Sequence, residues 1–125
     1  MNAIETLYRN TGLVTEDGYV KVRDRLWIAS RPYEKRSWYD ADKSILPNKE
    51  ELNEIYLKLQ ELIQIQESCG LESLRRILNS DFPWIWSSST EYDASNAWIQ
   101  SMSDGYQYTN PKYTDYWIVP IRRSL

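Results

Sequence analysis

Residues 84–123 constrain the fold of this chain more than any other stretch. They carry Trp84, Trp86, Trp98 and Trp117, four of the chain's six tryptophans, with Tyr92, Tyr106, Tyr108, Tyr113 and Tyr116 among them. Between the aromatics lie Ser, Thr, Asn, Asp and Gly, few of which form good helices. Aromatic and β-branched side chains suit a pleated, half-buried surface, and short polar residues with Gly suit the turns between strands. The pattern predicts strands near residues 84–88, 97–101, 106–109 and 116–122. Ser103, Asp104 and Gly105 make the tight turn between the second and third, because Gly takes a positive φ without a Cβ clash.

Upstream the period changes. Leu52, Ile55, Tyr56, Leu59, Leu62 and Ile63 recur at helical spacing, one apolar stripe of an amphipathic helix running from Asn48 to about Gln66. Pro47 precedes the helix, Asn48 is a good N-cap, and Glu51 three residues on completes a capping box. Glu50, Glu54, Lys58 and Glu61 lie off the stripe. Gly70 breaks this helix. Leu71, Leu74, Ile77 and Leu78 make a shorter stripe ending near Asn79, and Pro83 closes it by biasing Phe82 to extended backbone. Nearer the N-terminus, Ile4, Leu7 and Tyr8 can share one side of a helical turn or two before Gly12. Val14 and Val20 flank Glu16, Asp17, Gly18 and Tyr19, so residues 13–22 read as a small hairpin with a second Asp-Gly turn. Leu26–Ala29 is a short strand entering the core. Residues 30–42 are polar, contain Pro32 and read as a loop, in which Trp38 and Tyr39 pack under the domain.

Helices segregated from an antiparallel sheet make an α+β domain. A chain of 125 residues suits a single domain over 1–125, with 1–25 as an N-terminal hairpin extension. A domain this size buries roughly two-thirds of its unfolded surface, enough for a core without staples. The one cysteine, Cys69, cannot form an internal disulfide, so the fold does not depend on an oxidising compartment.

Composition removes several functions. There is no histidine, which excludes most catalytic triads, neutral-pH proton shuttles and His-ligated metals. A net charge of −3 lacks the basic footprint that nucleic-acid binding needs. No apolar run is long enough to span a bilayer. The opening residues, MNAIETLYRN, lack a basic segment followed by an apolar one, so we expect no signal peptide and a cytoplasmic or virion location. Glu91, Asp93, Asp104 and Asp115 are the carboxylates nearest to a catalytic arrangement, but a general acid needs burial or a like-charged neighbour, and turn-forming Asp is commoner. No catalytic residue is expected. Glu91, Asp93, Asn96, Asp104 and Asn110 offer oxygen ligands for Ca²⁺, yet their spacing matches no EF-hand loop. No cofactor or metal is expected.

Several segments resemble a known family. Residues 86–90 (WSSST), Asn96-Ala97-Trp98, Asp104-Gly105 and residues 116–122 (YWIVPIR) occur in the order seen in bacterial C-type-lectin-like domains of the Lcl C-terminal type. That family is similar in fold to the formylglycine-generating enzyme superfamily. Residues 46–52 (LPNKEEL) resemble its Leu-Pro-Thr-x-x-Glu-Leu helix start, and Leu26-Trp27 and Ser37-Trp38 are fainter echoes. Lys43, Ser44 and Ile45 stand where the family usually has Asp-Trp-Arg. The resemblance, from about Leu26 to Arg123, implies a C-type-lectin-like fold with an antiparallel sheet and two helices. It also implies a non-catalytic branch, since the superfamily's oxidase chemistry uses active-site cysteines and Cys69 lies outside the matched motifs.

The loops of such folds form a ligand-binding face. The corresponding residues here are Tyr92, Asp93, Asn96, Tyr106, Tyr108, Asn110 and Tyr113, a mixture of rigid aromatic and adaptable polar side chains that suits a binding surface. Trp86, Trp98 and Trp117 are expected in the core. The function expected is a non-enzymatic binding module recognising a protein or glycan surface, with no nucleic-acid or membrane partner. A phage or prophage product, such as a virion or tail component, fits that description. The alternative is an intracellular phage-encoded inhibitor that blocks a host enzyme or defence complex, for which an acidic chain suits a basic target. Oligomeric state and partner identity are not specified by these residues.

Overall fold

The computed structural model describes residue 6 and residues 12–68, 73–90 and 95–123. The described strands are β1 (Tyr19–Arg23), β2 (Leu26–Ala29), β3 (Glu34–Arg36), β4 (Trp84–Thr90), β5 (Asn96–Ser101), β6 (Gln107–Pro111), β7 (Tyr116–Ile118) and β8 (Ile121–Arg122). The described α-helices are α1 (Lys49–Leu57), α2 (Leu59–Ser68) and α3 (Ser73–Leu78), with 3₁₀ turns at Trp38–Asp40 and Lys43–Ile45. The fold is mixed α+β. The expected helical turn at Ile4, Leu7 and Tyr8 lies outside the described residues, as do Cys69 and Tyr92.

The helix begins as its sequence dictates. Asn48 Oδ1 accepts from the Glu51 N–H at 2.8 Å, and Glu51 Oε1 accepts from the Asn48 N–H at 2.8 Å. Leu52, Ile55, Leu59, Leu62 and Ile63 are all buried along the expected stripe. The stripe spans two helices, however. At Lys58 (φ −97°, ψ 8°) the backbone leaves the α region, and its N–H is shared between the Glu54 and Ile55 carbonyls, each at 3.2 Å. The small hairpin at residues 13–22 is present as an antiparallel bridge, Val14 to Val20, with Gly18 at φ +85°. Val14, Val20 and Val22 belong to the main core.

Two sheets replace the single antiparallel sheet expected. One orders its strands β1-β2-β8 and the other β3-β7-β4-β5-β6. The predicted strand at 116–122 divides between them. Pro120 has no N–H to give a ladder. β7 therefore ends in the larger sheet and β8 begins in the smaller, while the Pro120 carbonyl accepts from the Ala29 N–H at 2.9 Å. β7 also runs parallel to β4, with Ile85 beside Trp117. The turn at 103–105 is as predicted: Gly105 sits at φ +81°, and β5 and β6 pair antiparallel with Ile99 opposite Tyr108.

The larger sheet has a core on each side. Ile85 and Trp117 face the helices and join Leu52, Ile55, Leu62 and Ile77. Trp86, Ala97, Ile99 and Ile118 point the other way and pack against Ala41 and Leu46. The covering segment is held by both its tryptophan and the sheet's. Trp38 Nε1 donates to the Ser87 carbonyl at 2.9 Å, and Trp86 Nε1 donates to the Arg36 carbonyl at 3.0 Å. Lys43 and Lys112 place their ammonium groups 4.3 and 4.1 Å from the Trp38 ring. The expected loop at 30–42 thus contains a strand, a 3₁₀ turn and the tryptophan that covers the outer face. Tyr39 beside it stands exposed instead of packing under the domain.

Candidate functional site

The segment carrying Trp38 covers only part of the outer face. Alternation along β4 sends Trp84 to the same side as Trp86. Along β6 it sends Tyr108 to the side of Ile99, its partner on β5. Trp84 stands opposite Ser101 in β5, a side chain small enough for the rings on either side to meet above it. The Trp84 and Tyr108 rings lie edge to face, 5.5 Å apart and 68° between planes. Tyr106, at the mouth of the hairpin, lies 6.0 Å from Tyr108 at 43°. Tyr106 is 61% exposed and Tyr108 52%. Together the three rings make an aromatic ledge along the sheet edge formed by β6, and Phe82, two residues before Trp84, is exposed as well.

The residues named from sequence are distributed unevenly around this ledge. Tyr106 and Tyr108 form it. Asn110 follows on the same face of β6, but its side-chain N–H₂ is occupied by the Tyr116 hydroxyl, and the Tyr116 ring packs 4.9 Å from Trp86. Asn96 is half-buried and lies opposite Pro111, on the face of β5 that carries Trp98 and Gln100. Tyr113 is exposed in the turn between β6 and β7. Tyr92 and Asp93 lie outside the described residues. Trp84 joins the site from outside the residues expected there. The alternation Trp84-Ile85-Trp86 puts it on the Trp86 side, but only the register of β4, β5 and β6 places it against Tyr108.

Trp98 departs from expectation. It is half-buried instead of core, and the Lys49 ammonium covers its ring at 3.7 Å. Trp86, fully buried, and Trp117, at 9% exposure, are in the core as expected.

Beside Tyr106, α1 and the β5–β6 hairpin border an open cleft of about 490 Å³. It is lined by Lys49, Glu50, Asn53, Glu54, Gly105, Tyr106 and Gln107. A chain of amides runs inward from it through the buried Gln100. Gln107 Nε2 donates to the Lys49 carbonyl at 2.9 Å and to Gln100 Oε1 at 3.1 Å. Gln100 Nε2 donates to the Gly105 carbonyl at 3.1 Å and to Asn53 Oδ1 at 2.9 Å. Gln100 itself is fully buried. A second depression, of about 360 Å³, is bordered by Arg31, Glu34, Arg36, Asp40 and Asp42, and there Arg36 and Glu34 neutralise each other at 2.8 Å.

Three carboxyl groups have altered acidity, one of them Asp42 at the second depression, and all move down. The Arg122 guanidinium hydrogen-bonded to Asp17 holds that carboxyl below its ordinary value. Lys21 does the same to Asp24, and the Ser44 hydroxyl and N–H do so to Asp42. Among the described residues, no three His, Cys, Asp or Glu side chains gather as metal ligands would, and no helix is long and apolar enough to cross a membrane. Compared with known proteins, the chain matches no protein-family model and no curated protein.

Proposed function

We propose that this protein is a non-enzymatic binding module that docks a partner protein on the Trp84–Tyr108–Tyr106 ledge. The ledge itself carries the reading. It exposes large aromatic area on β4 and β6 and at the hairpin mouth, and such residues dominate the energetics of interfaces. Exposed tyrosines make little contribution to folding, so their clustering on one face calls for another role. The tilts of 68° and 43° favour protein over glycan, because a run of sugar rings stacks best on coplanar faces. The downward-shifted carboxyls suit ion pairing and turn formation, not proton donation to a substrate.

The C-type-lectin-like reading of the Lcl C-terminal type belongs to the same proposal. It is supported by the α+β architecture, the hairpin at Asp104-Gly105 and the capped helix start within residues 46–52. Within it, a phage or prophage virion component is the first reading and an intracellular inhibitor of a host complex the second. The test uses bead-bound wild-type, Trp84→Ala and Tyr108→Ala proteins exposed to bacterial lysate, alongside a glycan array. A protein retained by wild type and lost from both variants supports the ledge as the docking face. Equal retention by all three, or glycan binding that survives both substitutions, removes it.

A further inference from the structure

The amides that run inward from the cleft beside Tyr106 can point only one way. Backbone carbonyls only accept, so the Gln107 atom 2.9 Å from the Lys49 carbonyl must be Nε2. The Gln100 atom 3.1 Å from the Gly105 carbonyl must be Nε2 for the same reason. Gln100 then presents Oε1 to Gln107 and its second N–H to Asn53, whose facing atom must be Oδ1. Turning any one amide over would set donor against donor or acceptor against acceptor. Both hydrogens of Gln107 and both of Gln100 are used. What the amide network leaves unpaired is one donor group, Asn53 Nδ2, and one acceptor, Gln107 Oε1, on two residues that line the cleft. Glu50 on the same wall is a further acceptor with no ion-pair partner among the described residues. Lys49, which also lines the cleft, holds its ammonium over the Trp98 ring, and the remaining lining carboxylate, Glu54, is paired with Arg23.

We propose that this cleft receives the side-chain carboxamide of an asparagine or glutamine on the partner protein. The proposal rests on the binding-module reading and adds the chemistry of one contact. A primary carboxamide brings one carbonyl and two N–H groups. The carbonyl accepts from Asn53 Nδ2, and the N–H groups donate to Gln107 Oε1 and to the Glu50 carboxylate. Other groups match less well. A guanidinium only donates, and meets the Asn53 N–H₂. A carboxylate only accepts, and meets Gln107 Oε1 and Glu50. A peptide amide has a single N–H for two acceptors. Sugar hydroxyls can satisfy all three groups, but the rings that continue the surface are not coplanar. Because two backbone carbonyls fix the network in the free protein, Asn53 and Gln107 have little rotamer freedom left to lose on binding.

Small probes test this without a known partner. Propionamide, N-ethylguanidinium, propionate and methyl β-glucoside are titrated in turn into ¹⁵N-labelled protein. The side-chain amide signals of Asn53 and Gln107 and the backbone signal of Gly105 are followed. Propionamide should move them at concentrations on the order of 10 mM, the range of a single small contact, and the other three probes should not. Asn53→Asp keeps Oδ1 as acceptor for Gln100, turns the free donor into an acceptor and adds a negative charge beside Glu50 and Glu54. It should weaken the propionamide response of Gln107 and Gly105 by about tenfold, with the backbone ¹⁵N spectrum showing the fold retained. No response to propionamide, an equal response to the glucoside or the guanidinium, or full strength in Asn53→Asp overturns the proposal. Trp84→Ala and Tyr108→Ala should leave the propionamide shifts in place, so failure of the ledge and failure of the cleft are read separately.

Discussion

Gly105 joins the hairpin to the helix below it. Its φ of +81° is the left-handed region, where a Cβ is strained, and a Cβ built there would lie 2.6 Å from the Tyr56 ring. Gly12 has a similar φ of +75° with nothing within 4 Å. The pair separates backbone strain from crowding. Gly12→Ala should cost about 1–2 kcal/mol through φ alone. Gly105→Ala should cost about 1–3 kcal/mol more, because the Tyr56 ring must be displaced. Chemical denaturation measures both, and equal losses would mean that Tyr56 yields freely. Trp98 teaches a different lesson at this scale. Alternation in β5 correctly separates Trp98 from Ile99. It says nothing about what covers each face, and the ammonium of Lys49 from α1 covers Trp98 where the helical core does not reach.

The most readable element was α1, because its signals are local. The cap, the capping box and the stripe need only residues within a turn or two of each other. The interruption at Lys58 was not readable, since the stripe runs through it unbroken. Glu51 has a second role that sequence did not reveal. It is 5% exposed, and Arg123 reaches it with Nε at 2.9 Å and Nη2 at 2.8 Å from 72 residues away. Asn48→Ala should therefore cost about 0.5–2 kcal/mol, the usual loss of a cap. Glu51→Ala should cost about 1.5–3 kcal/mol, as it removes the cap's return bond and a charge-assisted fork together. Leu59→Ala should cost about 2–5 kcal/mol from a buried site. Urea unfolding ranks the three, and a Glu51 loss no greater than that of Asn48 would show that the Arg123 fork contributes nothing. The split of residues 116–122 into β7 and β8 was signalled by Pro120 in the sequence. Which sheet each half would join depends on β2, β3 and β4, far away in the chain, and no local pattern encodes that.

At the scale of the whole molecule, the five-stranded sheet is a partition between two cores and its uncovered corner is the ledge. The aromatic residues of 84–123 therefore sort into three groups by what lies over them. Trp86 is sealed between the sheet and the segment pinned by Trp38. Trp98 has one lysine over it, and Tyr106, Tyr108 and Tyr113 have solvent. Stability and binding should divide along the same lines. Trp86→Ala should destabilise the fold by about 3–5 kcal/mol. Trp98→Ala should cost about 1–2 kcal/mol, in proportion to its partial burial and the loss of a cation–π contact. Tyr106→Ala and Tyr113→Ala should fall within about 0.5 kcal/mol of wild type, as exposed positions do. Tyr108→Ala should lose about 0.5–1.5 kcal/mol with its edge-to-face contact to Trp84. Against a partner captured by the wild-type protein, Tyr106→Ala or Tyr108→Ala should weaken the complex by about 2 kcal/mol or more, while Tyr113→Ala, outside the ledge, should weaken it less. A thermal melt and a binding isotherm on each variant supply both axes. If Tyr113→Ala proves the more damaging to binding, the docking face lies at the β6–β7 turn. If every tyrosine variant melts early and binds normally, the ledge belongs to the fold and the partner must sit elsewhere.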